Sequence, residues 1–170
     1  MAHKEQIQFC QEVKKCFPEY FKGTKVLDVG SLDINGTNRY LFEDCEYIGI
    51  DVLKGKNVDI VIPVHEYIPI RQVDVVVSTE MLEHDKYWKA SLKAMYDLLR
   101  EGGLMLITCA TKGRKEHGTH EKEPESSPGT LGYYKNIYLK EFNRQLPGHL
   151  FKDYRLQVVG TDLQFYGIKK

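Results

Sequence analysis

Two carboxylates and two glycines stand where short apolar runs give way to polar ones. Asp28 and Gly30 lie in KVLDVG, Gly36 follows in SLDINGTN, and Asp51 closes YIGID. A glycine after a buried strand lets a ligand approach the backbone closely. Free N–H groups at the start of the next helix suit an anion, and Ser31 and Asn35 belong to the same loop. A carboxylate ending the second strand, beside Val52, can accept two hydrogen bonds from ribose hydroxyls. The chemistry implied is nucleoside binding, by a dinucleotide or by S-adenosylmethionine. Further along, Glu80, His84 and His117 are groups able to take a proton from an acceptor. Tyr133 and Tyr134 offer faces for stacking on a ring, a sugar or a base. His117 and His120, with Glu121 and Glu123 in HGTHEKE, have metal-ligating types. Mixed-charge loops are solvated, however, and a ligand set needs a rigid frame, so no metal site is expected.

These residues need a scaffold that gathers strand ends. KVLDV (25–29), YIGID (47–51), VDIVI (58–62), VDVVVS (73–78) and LMLITCA (104–110) are short apolar runs that predict five strands. The continuous apolar character of the fourth predicts burial on both faces, as in a parallel sheet. Between the runs, Phe9, Val13, Cys16 and Tyr20 mark an N-terminal helix over 4–20, and 37–44 is expected to be the first crossover helix. Trp88, Leu92, Met95 and Leu99 form a helical stripe, with Asp85 as its cap and Gly102 or Gly103 as its stop. A further helix is predicted over 138–146. YRLQVVG and LQFYGIKK predict a hairpin turning at Thr161–Asp162. The expected fold is α/β: a three-layer, doubly wound sheet, mostly parallel, with an antiparallel strand at its C-terminal end.

The chain has 170 residues, which suits one domain with a sizeable core. Lys plus Arg number 24 and Asp plus Glu number 24, so the basic footprint of a nucleic-acid binder is absent. No apolar run approaches the ~20 residues of a membrane span, and MAHKEQIQFCQEVKK is too charged for a signal peptide. The four cysteines form no C-x-x-C pair. Cys10 and Cys109 fall in apolar patterns and are expected to be buried free thiols, which fits a reducing, cytoplasmic compartment.

Three features separate the two nucleoside ligands. The loop lacks the G-x-G-x-x-G of a dinucleotide site, a terminal hairpin is foreign to a plain dinucleotide fold, and strand four runs into STEMLEH (78–84). The pattern VLDVGSLDINGTNRYLF…YIGID…VDVVVSTEMLEH…LLREGGLMLIT resembles the class I S-adenosylmethionine-dependent methyltransferases, especially the small type 11 group. The resemblance spans roughly residues 25–110. It implies a seven-stranded Rossmann-like sheet with strand seven antiparallel and the cofactor above strands one, two and four. By position it places Asp28 near the methionine ammonium, Gly30 at the close approach, Asp51 on the ribose, Val64 and His65 beside the adenine, and Ser78 and Thr79 under the methionyl group. Two departures stand out. Leu32 and Ile34 occupy the second and third glycine positions of the family's first motif, with Asn35-Gly36 supplying the turn instead. Pro63 stands where many relatives carry an acid for the adenine amine.

The resulting expectation is methyl transfer to a small-molecule or sugar acceptor. Recognition is assigned to the N-terminal element (1–22) and the long polar loop 111–135, within a single domain over 1–170. The D/N-P-P-Y/F signature of nucleic-acid amino-methyltransferases is replaced by STEM. A non-catalytic cofactor-binding module is the alternative, and a nicotinamide-dependent oxidoreductase is a third.

Overall fold

The computed structural model of the chain describes residues 4–170. The expected N-terminal element begins at residue 1, so its first three residues lie outside the described ones. Seven strands form one sheet: β1 (Lys25–Val29), β2 (Glu46–Asp51), β3 (Ile60–Val61), β4 (Val73–Thr79), β5 (Leu99–Ala110), β6 (Phe151–Val159) and β7 (Asp162–Lys169). Their spatial order is β3-β2-β1-β4-β5-β7-β6. Neighbours from β3 to β5 pair in parallel, and β7 runs antiparallel to both β5 and β6. Three α-helices occur among the described residues: α1 (Lys4–Cys16), α2 (Trp88–Leu98) and α3 (Leu139–Gln145).

The apolar alternation assigns the layers. Val26, Val75, Val77, Leu104 and Leu106 face Phe9, Cys10 and Val13 of α1. Leu27, Val29, Val76, Met105 and Ile107 face the other way, onto Trp88, Leu92 and Met95 of α2 and Phe142 of α3. Side chains on successive strand residues point to opposite faces, so continuous Val/Leu runs supply both cores at once. The doubly wound, three-layer expectation holds, as does the antiparallel strand at the C-terminal end. Cys10 and Cys109 are buried free thiols.

Several elements differ from expectation. The stretch 37–44 is not a crossover helix but a single tight turn, Asn38–Leu41, with extended backbone on either side. Four residues cannot repay the cost of helix nucleation without a longer apolar stripe. β3 shrinks to two residues, and Pro63 and Pro69 flank the Val64–Glu66 turn where a second crossover helix would lie. Asp85 does not cap α2: its Oδ1 accepts from the Tyr87 N–H at 2.7 Å, shaping the turn before the helix. α2 stops at Leu98 rather than at the glycines, because Leu99 already pairs with Val73. The glycines instead lie in the irregularity between the Val73 and Val75 pairings, with Gly102 at φ +70. β1, β2, β4 and β5 still end together on one side, and there the site lies.

Candidate active site

A cleft of about 840 Å³ opens over the C-terminal ends of β1, β2 and β4. Gly30, Asn35, Asp51, Val52, Val64, His65 and Thr79 all line it, so seven residues expected at the cofactor share one cavity. Gly30 is held at φ +79, and a Cβ there would lie 2.5 Å from Met81 Cγ. Only glycine fits that conformation and that contact. The Gly30 and Ser31 N–H groups both bond to the Ile50 carbonyl, at 2.9 and 3.0 Å, folding the loop back onto β2. Asp51 fastens the same corner: it accepts from the Leu32 N–H (3.2 Å) and the Leu53 N–H (3.0 Å). Burial pushes its carboxyl above the ordinary range although these N–H groups pull the other way. Each carboxylate oxygen keeps a lone pair for a further donor from the cleft. His65 stacks obliquely on Tyr87 at 5.3 Å, forming an aromatic corner of the same cavity.

The other four expected cofactor residues do not line this cleft: Asp28, Ser31 and Ser78 are buried behind it and Gly36 lies apart. Asp28 is buried and bonded to Tyr47 Oη (2.5 Å) and Asn38 Nδ2 (3.2 Å). Burial pushes its carboxyl up to about 6, against the pull of those two bonds. Asn38 also donates to Thr79 Oγ1 at 3.0 Å, so Asp28 reaches the cleft through an intermediate. The Ser78 hydroxyl donates to the Val29 carbonyl (2.8 Å), tying β4 to the start of the loop. Ser31 donates to the Asn57 carbonyl, and Asn57 Nδ2 returns a bond to the Ser31 carbonyl. Gly36 borders a smaller hollow of about 270 Å³ beside α1, its N–H held by Asp33 Oδ1.

The other half of the cleft carries charge. Glu80 follows β4 in a left-handed conformation, φ +53, which costs a non-glycine residue about 1–2 kcal/mol. Its Oε1 accepts from Thr108 Oγ1 at 2.8 Å, and Oε2 lies 4.0 Å from Arg114 Nη2. Arg114 also holds Thr161 Oγ1 (2.9 Å) and pairs with buried Asp162. Glu83 is fully buried, and its Oε1 accepts from the Ala110 N–H at 3.1 Å. Burial, with Glu80 nearby, raises its carboxyl well above the usual range. Burial, with His117 nearby, lowers His84 to about 3, so its ring is neutral at pH 7.

His84, Glu80 and Tyr133 line the cleft. His117 and Tyr134 do not. They pack instead on His84, with ring centres 4.9 and 5.4 Å from it and 5.0 Å from each other. The HGTHEKE tract is therefore split. His117 turns inward, His120 lines the cleft, and Glu121 and Glu123 are exposed. Gly118 permits the inward turn, since a Cβ there would lie 2.7 Å from His84 Cε1. The 111–135 loop then crosses to the tip of β2, where Gly129 packs beside Val52 and Leu53. Residues 126–132 form that rim.

Asn38, Tyr47, Asn57 and Met81 were not anticipated, nor were Arg114 and Asp162. Asn57, at φ +70 in a KGKN turn, had a local signal. The others are ordinary residues until the fold brings them to Asp28, Gly30 or Glu80.

A parallel sheet whose first glycine loop and second strand-end acid share a cleft defines a nucleoside-cofactor α/β protein. Residues 1–159 match the family described as "Methyltransferase domain", and the chain belongs to it. It is a class I, S-adenosylmethionine-dependent methyltransferase. A search of curated proteins finds no match. Among solved structures, 1,6-didemethyltoxoflavin-N1-methyltransferase of Burkholderia thailandensis is 16% identical, with a TM-score of 0.67, covering 96% of this chain and 77% of that one. A SAM-dependent methyltransferase from Aquifex aeolicus is 18% identical (TM-score 0.64, 95% and 89% covered). The N-methyltransferase NodS from Bradyrhizobium japonicum WM9, in complex with S-adenosyl-L-homocysteine, is 11% identical (TM-score 0.64, 97% and 87% covered). At these identities the likeness is one of fold. No helix among the described residues is long and apolar enough to cross a membrane.

Proposed function

We propose that the chain, as a single domain over 1–170, methylates a small-molecule or sugar acceptor inside the 840 Å³ cleft. The observation that carries this reading is that one cavity holds both the Gly30–Asp51 corner and the Glu80–His84–Tyr133 wall. The residues fit the cofactor. Gly30, where a Cβ would collide with Met81, keeps bare backbone at the cleft, and Asp51 presents carboxylate oxygens at the tip of β2. Asp51 would hold the ribose hydroxyls, Val64 and His65 the adenine, and Thr79 the methionyl end. Asp28, Ser31 and Ser78 brace that surface from behind. Pro63 lines the cleft and offers no side-chain donor or acceptor, so packing holds the base there.

When bound, S-adenosylmethionine supplies a methyl group already activated by the sulfonium. The protein's task is alignment, which can contribute on the order of 7–11 kcal/mol. Neutral His84 lies where it can hydrogen-bond the group to be methylated, and Tyr133 stacks on the acceptor's ring. The 111–135 loop roofs the cleft and excludes water. Structures of the same fold include enzymes with N-methyltransferase names, one of them with bound 1,6-didemethyltoxoflavin, which supports a small acceptor. The free thiols Cys10 and Cys109 fit a reducing cytoplasm.

Calorimetry with S-adenosylhomocysteine on Asp51→Ala tests the cofactor half. A hydrogen bond to a charged group contributes roughly 1.5–3 kcal/mol, so affinity should fall about 10- to 150-fold. An unchanged dissociation constant would reduce Asp51 to a turn residue.

A further inference from the structure

We propose that Glu83, His84 and His117 form a binding site for a first-row divalent cation, at the wall of the cleft. One ligand atom from each of the three lies within 4.8 Å of the others. Three donors around a common ion at the usual 2.0–2.2 Å sit no more than about 4.4 Å apart. A small inward movement is therefore enough to close the set.

Two of the three donors are buried and unserved. Glu83 is fully buried, and its Oε2 accepts no hydrogen bond while Oε1 is held by the Ala110 N–H. His84 is 5% exposed, and its Nδ1 also has no hydrogen-bond partner. Buried polar atoms without partners are rare in native proteins and require an explanation. One cation would serve both.

The third donor is oriented for the same purpose. His117 Nδ1 lies 3.0 Å from the Lys115 carbonyl. A proton on Nδ1 makes that bond and leaves Nε2 as the lone-pair nitrogen, the arrangement typical of metal-ligating histidines. Tyr134 packs edge-on against both imidazoles and restricts their rotation. Gly118 packs against His84 and fixes the spacing between the two histidine segments. The rigid frame missing from the exposed part of the HGTHEKE tract is thus supplied by β4, the exit of β5 and Tyr134.

Two imidazoles and one carboxylate favour Zn²⁺, Mn²⁺ or Fe²⁺ over Mg²⁺ and Ca²⁺, which prefer all-oxygen shells. Three protein ligands leave coordination positions open, and His84 faces the cleft. An acceptor hydroxyl bound there would be oriented and acidified. That role rests on the transferase reading above, whereas the cation site stands without it.

The test is a titration of the full-length chain, stripped with chelator, using MnCl₂, ZnCl₂ and MgCl₂ separately. Calorimetry is the readout, with electron paramagnetic resonance for Mn²⁺. One Mn²⁺ or Zn²⁺ should bind per chain, more tightly than Mg²⁺. His117→Ala lies on a partly exposed loop and should weaken Mn²⁺ binding roughly tenfold or more. Glu83→Gln keeps the shape and the Ala110 contact and should do the same. S-adenosylhomocysteine affinity, measured on the same samples, reports whether each variant is folded. No cation binding to a chain that binds S-adenosylhomocysteine would overturn this inference and leave the cofactor assignment intact. Cation binding that survives both substitutions would also overturn it. Cation binding without S-adenosylhomocysteine binding would uphold the site and remove the cofactor roles proposed for the Gly30–Asp51 corner.

Discussion

Around Gly30 and Asp51 the cleft is made largely of backbone; around Glu80 and His84 it is made of side chains. On the first side, N–H groups of residues 30, 31, 32 and 53 bond to the Ile50 carbonyl and the Asp51 carboxylate. On the second, Glu80, Glu83, Thr108, Arg114 and Asp162 converge from three separate strand ends. The first half depends on chain geometry that a few residue types permit. The second depends on charge balance that any one substitution can upset. The two halves should therefore respond to different perturbations.

The largest contrast is expected at Arg114, the cation beside Glu80 and Asp162. Breaking a buried ion pair by removing one partner costs about 3–5 kcal/mol, and the Arg114 side chain is 24% exposed against 2% for Asp162. Arg114→Ala should lower unfolding stability in urea by up to that amount. Affinity for S-adenosylhomocysteine should hardly change, since the Gly30–Asp51 corner shares none of its partners. Lost affinity with unaltered stability would erase the distinction between the halves.

Next comes Asp28, the one strongly shifted acid on the backbone-built side. Its carboxyl stands at about 6 in the folded chain against an ordinary value of 3.8. The folded state then binds more protons than the unfolded state between those values. Its contribution to stability is fully present below the unfolded value and is lost as pH rises through the folded one. The two-unit difference corresponds to on the order of 3 kcal/mol. Asp28→Asn should flatten this decline and be at least as stable as the parent at pH 8. An unchanged slope, followed by urea denaturation from pH 4 to 8, would place the decline elsewhere.

Gly30→Ala tests geometry alone. A left-handed residue with a Cβ costs roughly 1–2 kcal/mol, and the new atom would also displace Met81. Stability should fall by about that much, and S-adenosylhomocysteine binding should weaken with it, as thermal shift and calorimetry can show. Here stability and affinity move together, whereas at Arg114 they separate.

The same division explains what could be read from the sequence. The strand runs and the two-sided burial of β4 were legible, because β1, β2, β4 and β5 are apolar runs bounded by polar loops. Gly30 and Asp51 stood out at the ends of such runs, Val64 and Thr79 came only from the family resemblance, and all four line the cleft. The crossover helix over 37–44 was not, since a four-residue turn and a short helix share the same composition. Asp28 was placed at the cofactor, yet Tyr47 and Asn38 cover it, and no local pattern announces a partner from another strand. His117 was placed on a solvated loop, and only the fold brings it to His84. Arg114 and Asp162 are 48 residues apart and meet through the antiparallel pairing of β7 with β5.

The smallest effect is expected where the sequence departs most visibly from its family. Ile34 stands at a glycine position of the first motif, a departure that suggests a damaged cofactor loop. Within residues 30–38, however, only Gly30 and Gly36 have φ in the left-handed region. Asp33 secures the turn by accepting the Gly36 N–H at 2.9 Å, and Lys56 pairs with the same carboxylate. The loop thus makes its bend two residues later, and position 34 needs no glycine. Ile34 is 38% exposed, so its replacement should act chiefly through the unfolded chain. Ile34→Gly should cost about 0.4–1 kcal/mol from added chain entropy, with no gain in affinity for S-adenosylhomocysteine. A tighter complex in calorimetry would mean that the side chain obstructs the cofactor, and the backbone-built half would then be less complete than its hydrogen bonds imply.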